Sequence, residues 1–164
     1  MSRKKVIFII PSLGAGGAEN VILTILRHLD KRAFDAILCI VHFTGRLKDR
    51  LPKDVRLIDL GCERVRHAFV PIISLLNREK PDTVCTTVGH LNLLILMVKP
   101  FLPQKTKIIV RESSIPTESM HHSGQARWYP IYKIFYNRAD ALIAQSAAIK
   151  NDLVLNYGVN SAKV

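Results

Sequence analysis

The sequence predicts an α/β fold: a doubly wound, mostly parallel sheet with helices on both faces, in one domain over residues 1–164. Three observations carry that prediction. Short β-rich runs recur with helical patterns between them. The runs are apolar without alternation, as strands covered on both faces are. A glycine-rich loop, "PSLGAGG", joins the first run to the first helical pattern. Right-handed crossovers then give a Rossmann-like sheet with strand order 3-2-1-4-5-6.

The elements follow in order. "KKVIFII" (4–10) is the first strand, and a helix runs from Ala18 to about Asp30 with Val21, Ile22, Ile25, Leu26 and Leu29 on one face. "FDAILCIVHF" (34–43) and "VRLIDL" (55–60) are the second and third strands, joined through a short helix around 45–51. "FVPIISLLNREK" (69–80) reads as a helix with Pro71 in its first turn, where a missing N–H donor costs nothing. "DTVCTTV" (82–88), "KIIV" (107–110) and "ADALIAQ" (139–145) complete six strands, with helices expected at 90–101, 125–138 and 146–157. The final "NYGVNSAKV" is expected to begin a further strand, as if the chain were cut at a domain boundary.

Nearly half the chain is apolar (48%), which excludes a disordered polypeptide. Lys and Arg total 24 against 13 acids, a surplus of 11. That surplus favours nucleic acid, phosphorylated small molecules or an anionic membrane surface, although a solvated basic surface accounts for it equally well. No recognised nucleic-acid motif accompanies it, so nucleic acid is the weakest of these partners. Cys39, Cys62 and Cys85 are odd in number and widely spaced, and read as reduced residues rather than a disulfide framework or metal site. Arg3, Lys4 and Lys5 before an apolar run imitate a signal peptide, but Val6 to Ile10 is too short for one. "LNLLILMV" (91–98) ends at Lys99 and Pro100, well short of a membrane span of about 20 residues. A cytoplasmic location is expected.

The glycine loop fails two familiar patterns. A dinucleotide fingerprint starting at Gly14 and Gly16 needs glycine where Glu19 stands, and His42 and Phe43 occupy the end of the second strand where a ribose-binding acid belongs. A P-loop needs Gly-Lys-Ser/Thr, and the sequence has Gly17-Ala18-Glu19. Close backbone approach and the positive end of the following helix still suit a phosphate or diphosphate. A tight turn alone would need fewer glycines.

With "PSLGAGGAENVILTILRHL" read this way, the sequence resembles the N-terminal domain of family 4 (group 1) glycosyltransferases of the GT-B fold. "REKPDTV" (78–84) is similar to the lysine-proline-aspartate segment before the family's fourth strand, and "RADALIAQSAAIKNDLVLNYGVNSAKV" (138–164) to its sixth strand, following helix and interdomain start. The resemblance covers essentially the whole chain. It implies the acceptor-binding half of a retaining, metal-independent hexosyltransferase. A C-terminal domain, absent here, would bind the nucleotide sugar as co-substrate, and no cofactor is implied. The acceptor would be a sugar or a lipid-linked glycan. From a different class, a non-catalytic sugar or lipid-phosphate binding module fits the same scaffold.

Gly16 and Gly17 match family positions where backbone amides meet the donor diphosphate or acceptor, Glu19 matches the glutamate after them, and Gly14 of the same loop is a further candidate for binding acceptor or diphosphate. Glu19 is also well placed as a first-turn acid against the helix dipole. His90, after the fourth strand, is the candidate catalytic residue, able to hydrogen-bond sugar hydroxyls, or else a packing residue. Arg111 and Glu112 leave the fifth strand as a charged pair at the ligand-binding edge. Arg111 could clamp an acceptor phosphate, or the two could form an ion pair bracing the loop. Ser146 reads as a helix N-cap. "RWYPIYKIFYNR" (127–138) mixes aromatic and basic residues in a way that suits the inner face of an anionic membrane, or a core helix with a basic outer face.

Overall fold

The computed structural model describes residues 3–14, 16–45, 47–122, 124 and 126–164. Its strands are β1 (Lys4–Ile10), β2 (Phe34–Ile40), β3 (Arg56–Asp59), β4 (Thr83–Thr87), β5 (Lys107–Glu112) and β6 (Ala141–Ala144). They pair in parallel in the order β3-β2-β1-β4-β5-β6, as the run of apolar segments predicts. The order reverses between β1 and β4, and in such sheets the crevice beyond the carboxyl ends at that reversal is where ligands bind.

Among the described residues six α-helices accompany the strands, the last of them following β6: α1 (Gly17–His28), α2 (Phe69–Glu79), α3 (Gly89–Val98), α4 (Pro116–His122), α5 (Tyr129–Tyr136) and α6 (Ala147–Leu155). One face of the sheet presents Ile7, Ile9, Val84 and Val110 to a core that includes Leu76 of α2, Ile95 of α3 and Tyr136 of α5. The other presents Phe8, Ile10, Leu38 and Cys85 to a core that includes Ile22, Leu23 and Leu26 of α1. Both layers exclude water, which is why the strands carry no polar alternation.

The helical segments depart from the periodicity where backbone chemistry intervenes. The expected 90–101 helix ends at Val98 and continues as a 3-10 turn, Lys99–Phe101, because Pro100 cannot donate to the helical ladder. The expected 125–138 helix is confined to α5, preceded by a 3-10 turn over Ala126–Trp128. The 45–51 helix is reduced to a 3-10 turn at Lys48–Arg50. Helix α4 lies outside the expected helices, although Pro116 at its first position, Glu118 in its first turn and His121 and His122 in its last are favourable end residues. Instead of a final strand, Ser161–Lys163 form a 3-10 turn capped by Asn160, whose side chain accepts from the Ala162 N–H at 2.9 Å.

The ion pairs among the described residues gather at the opposite, amino-terminal edge of the sheet. Lys4 meets Asp82, Lys5 and Arg56 share Glu79 with Arg78, Lys31 meets Asp54, and Lys99 and Lys107 share Asp140. The hydrogen bond from Arg56 holds the Glu79 carboxyl below its ordinary range.

Candidate active site

Strand β4 delivers the chain to the carboxyl edge through a strained residue. Val88 has φ 77° and ψ 117°, a conformation that a β-branched residue adopts only when its surroundings impose it. Its carbonyl accepts the N–H groups of Leu91 and Asn92 at 3.0 and 2.9 Å, which starts α3 immediately and places Gly89 and His90 at the edge. Neighbouring β5 ends in Arg111 and Glu112. Consecutive strand residues face opposite ways, so these two separate. Glu112 turns towards α3 and α5, and Arg111 towards Thr87, to whose Oγ1 its Nη1 donates at 3.0 Å.

His90 and Glu112 line one cavity of about 240 Å³, together with Val88, Gly89, Ser114 and Tyr132. The Glu112 side chain is almost wholly enclosed, 3% exposed. Its Oε1 accepts from Asn92 Nδ2 at 2.6 Å and from the Tyr136 hydroxyl, leaving Oε2 as the atom available to the cavity. Burial pushes this carboxyl up to about 7, outweighing the two donors and nearby Arg111. Burial and the adjacent Glu112 likewise raise the phenols, Tyr132 to about 12 and Tyr136 well above its ordinary value. His90 stays accessible, yet partial desolvation lowers its pKa, so the imidazole is neutral near physiological pH. The site can therefore offer a neutral imidazole and a carboxyl close to its titration point, both suited to holding sugar hydroxyls.

The glycine loop stands at the end of β1, beside β4, and does not line this cavity. It is clamped to the loop after β2: the His42 N–H donates to Pro11 O at 3.1 Å, Leu13 N–H to Thr44 O at 2.9 Å, and Leu47 N–H to Leu13 O at 3.1 Å. That clamp requires Gly45, which has φ 120° and whose added Cβ would overlap the Leu13 carbonyl. The residue escaped the sequence reading, because only the fold brings its backbone against the loop. Gly16 caps α1 with no side-chain acceptor, leaving first-turn N–H groups uncapped by any side chain. A Cβ on Gly16 would meet only the movable end of Glu19, and one on Gly17 would meet open space. Neither crowding nor a left-handed φ thus demands glycine at 17, which leaves room for a ligand.

The predicted residues therefore divide into three groups. His90 and Glu112 share the cavity; Gly14, Gly16, Gly17 and Glu19 form the neighbouring loop and helix start; Arg111 lies beneath the surface. With 3% exposure and its bond to Thr87, Arg111 is not presented as a clamp for phosphate, nor does it form an ion pair with Glu112. Ser146 caps α6, accepting from the Ile149 N–H at 3.2 Å. The three cysteines are free thiols, and burial pushes Cys39 to about 12 and Cys85 to about 11. Among the described residues no group of three or more His, Cys, Asp or Glu could hold a metal ion, and no helix is long and apolar enough to cross a membrane. A second concavity, a groove of about 570 Å³, adjoins the cavity through the shared walls His90 and Tyr132. Arg64 and Arg66, which the sequence reading passed over, line it.

This arrangement matches known folds. The lipopolysaccharide outer core galactosyltransferase WaaB superposes with a TM-score of 0.67 at 17% identity, over 97% of this chain and 44% of its own. HepE from Anabaena, solved in complex with UDP, gives 0.68 at 14%, over 97% and 42%. A putative UDP-N-acetylglucosamine 2-epimerase from Listeria monocytogenes gives 0.67 at 16%, over 99% and 44%. The chain thus spans less than half the length of each, and a transferase and an epimerase share its fold. No curated protein sequence matches it. The Glycosyltransferase Family 4 profile matches residues 15–164, nearly the whole chain, and to that family the chain belongs.

Proposed function

We propose that this chain is the acceptor-binding half of a retaining glycosyltransferase, which moves a hexosyl group from a nucleotide sugar to a glycan or lipid-linked acceptor without a metal ion. The observation that carries the reading is the His90–Glu112 cavity, opening at the carboxyl edge next to the uncapped start of α1. A sugar hydroxyl in the cavity can donate to the neutral imidazole, while Glu112 Oε2 fixes a neighbouring hydroxyl. The glycine loop and the α1 N–H groups then face anionic oxygens across the cleft, favoured by the helix dipole. The nucleotide sugar is held by a second domain, so the two halves bring donor and acceptor together and supply orientation rather than an enzyme nucleophile. Binding at the cytoplasmic face of a membrane, without crossing it, fits the basic surplus.

The test is transfer by the complete enzyme with labelled nucleotide sugars, reading the anomeric configuration of the product. Retention of configuration, undiminished by EDTA, is expected. His90→Ala should lower kcat/KM at least about tenfold, a loss of roughly 1.4 kcal/mol of transition-state stabilisation. An inverted product, or full activity in His90→Ala, would reject the mechanism.

A further inference from the structure

The groove beside the cavity combines two chemistries that a free sugar would not use together. Leu93, Leu94 and Met97 of α3 give it an apolar floor, and Trp128 forms a wall. Met97 and Trp128 remain exposed, at 37% and 42%. Arg64 and Arg66 line the same groove from the start of the 3-10 segment Val65–Ala68. Neither joins an ion pair among the described residues; Arg66 Nε donates to His67 Nε2 at 3.3 Å. These two arginines line an apolar trough and meet no carboxylate within ion-pair distance among the described residues. Such a pairing complements an anion joined to hydrocarbon. A concavity of about 570 Å³ lies within the usual range of roughly 300–1,000 Å³ for single small ligands, so it can seat one such molecule.

We propose that the groove binds a lipid-linked acceptor, with its phosphate or diphosphate on Arg64 and Arg66 and its hydrocarbon chain along Leu93, Leu94 and Met97. The shared walls His90 and Tyr132 then direct the attached sugar into the His90–Glu112 cavity. This rests on the acceptor-binding reading above and gives that acceptor its chemical class.

Trp128 is the chain's single tryptophan, so its emission reports occupancy of the groove. The chain is titrated with farnesyl diphosphate, and in parallel with inorganic diphosphate, farnesol and phosphatidylglycerol vesicles. A saturable emission shift is expected with farnesyl diphosphate, at least about tenfold tighter than with inorganic diphosphate or farnesol. The double variant Arg64→Ala/Arg66→Ala should weaken it at least about tenfold, and Met97→Glu should weaken it too while leaving inorganic diphosphate unaffected. These side chains are exposed, and unchanged circular dichroism will verify folding. Equal affinity for inorganic diphosphate, or indifference to the arginine pair, overturns the proposal. A shift with vesicles and none with farnesyl diphosphate gives the groove to the bilayer and also overturns it. Retaining transfer to a soluble, phosphate-free acceptor, with no Trp128 response, rejects this inference alone. Tight farnesyl diphosphate binding by a full-length protein that transfers no sugar rejects the transferase reading and keeps the groove.

Discussion

Glu112 is the residue at which burial and hydrogen bonding contend most openly. Asn92 and Tyr136 both donate to Oε1, yet enclosure still lifts its pKa to about 7 from 4.5. The folded state therefore binds a proton more tightly than the unfolded one. Its contribution to stability is fully present below the unfolded value and is lost as pH rises through about 7, by about 3 kcal/mol at most. Urea unfolding at pH 5 and pH 8 should show the wild type losing stability relative to Glu112→Gln; parallel profiles would contradict the assignment. Arg111 answers to a different test. Its guanidinium is buried against Thr87, so Arg111→Ala is expected to cost about 1–3 kcal/mol of stability, with acceptor KM unchanged. A raised acceptor KM with an unaltered urea midpoint would restore its role as a phosphate clamp.

Between elements, the contact of greatest consequence is the seam where the loop after β1 meets the loop after β2. Three backbone hydrogen bonds hold it, and Gly45 permits it by having no Cβ to place on the Leu13 carbonyl. Gly45→Ala meets that overlap and an unfavourable φ together, so a loss of at least about 1–3 kcal/mol is expected. Gly17→Ala meets open space and should change stability by less than about 1 kcal/mol, while lowering transfer by the complete enzyme. Thermal melts of both variants decide this. An unchanged melting temperature for Gly45→Ala would mean that the seam is not held as described.

On the scale of the whole molecule, the surplus of 11 leaves basic side chains at both ends of the sheet that join no ion pair among the described residues. Arg3, Arg32, Lys53 and Lys105 are such residues near the strand starts, and Arg64 and Arg66 beside the groove. Each basic residue near an anionic surface adds about 1 kcal/mol, so a few suffice to localise the domain. Flotation should therefore carry the chain with anionic vesicles at low salt, and release it as the Debye length falls towards 3 Å near 1 M. Equal behaviour with neutral and anionic vesicles would leave the charge as a solubility feature.

The amino-acid pattern alone determined the six strands and their parallel order, because continuous apolar runs and glycine-rich turns are local signals that this packing rewards; the family came from the resemblance of the segments around Gly17 and Ser146. It also singled out His90, Glu112 and the glycine loop, since chemistry-bearing residues at strand ends stand out against an apolar background. It did not reveal Gly45, whose need arises only when two distant loops touch, or the strain at Val88, which local preference opposes. Nor could it separate Arg111 from Glu112: adjacent in sequence, they are sent to opposite faces by the alternation of the strand, one to Thr87 and the other into the cavity. Arg64 and Arg66 gained their place only when the chain leading into α2 was folded against α3. Residue type and spacing are written along the chain, whereas burial, charge compensation and the joining of groove to cavity arise only between segments that the fold brings together.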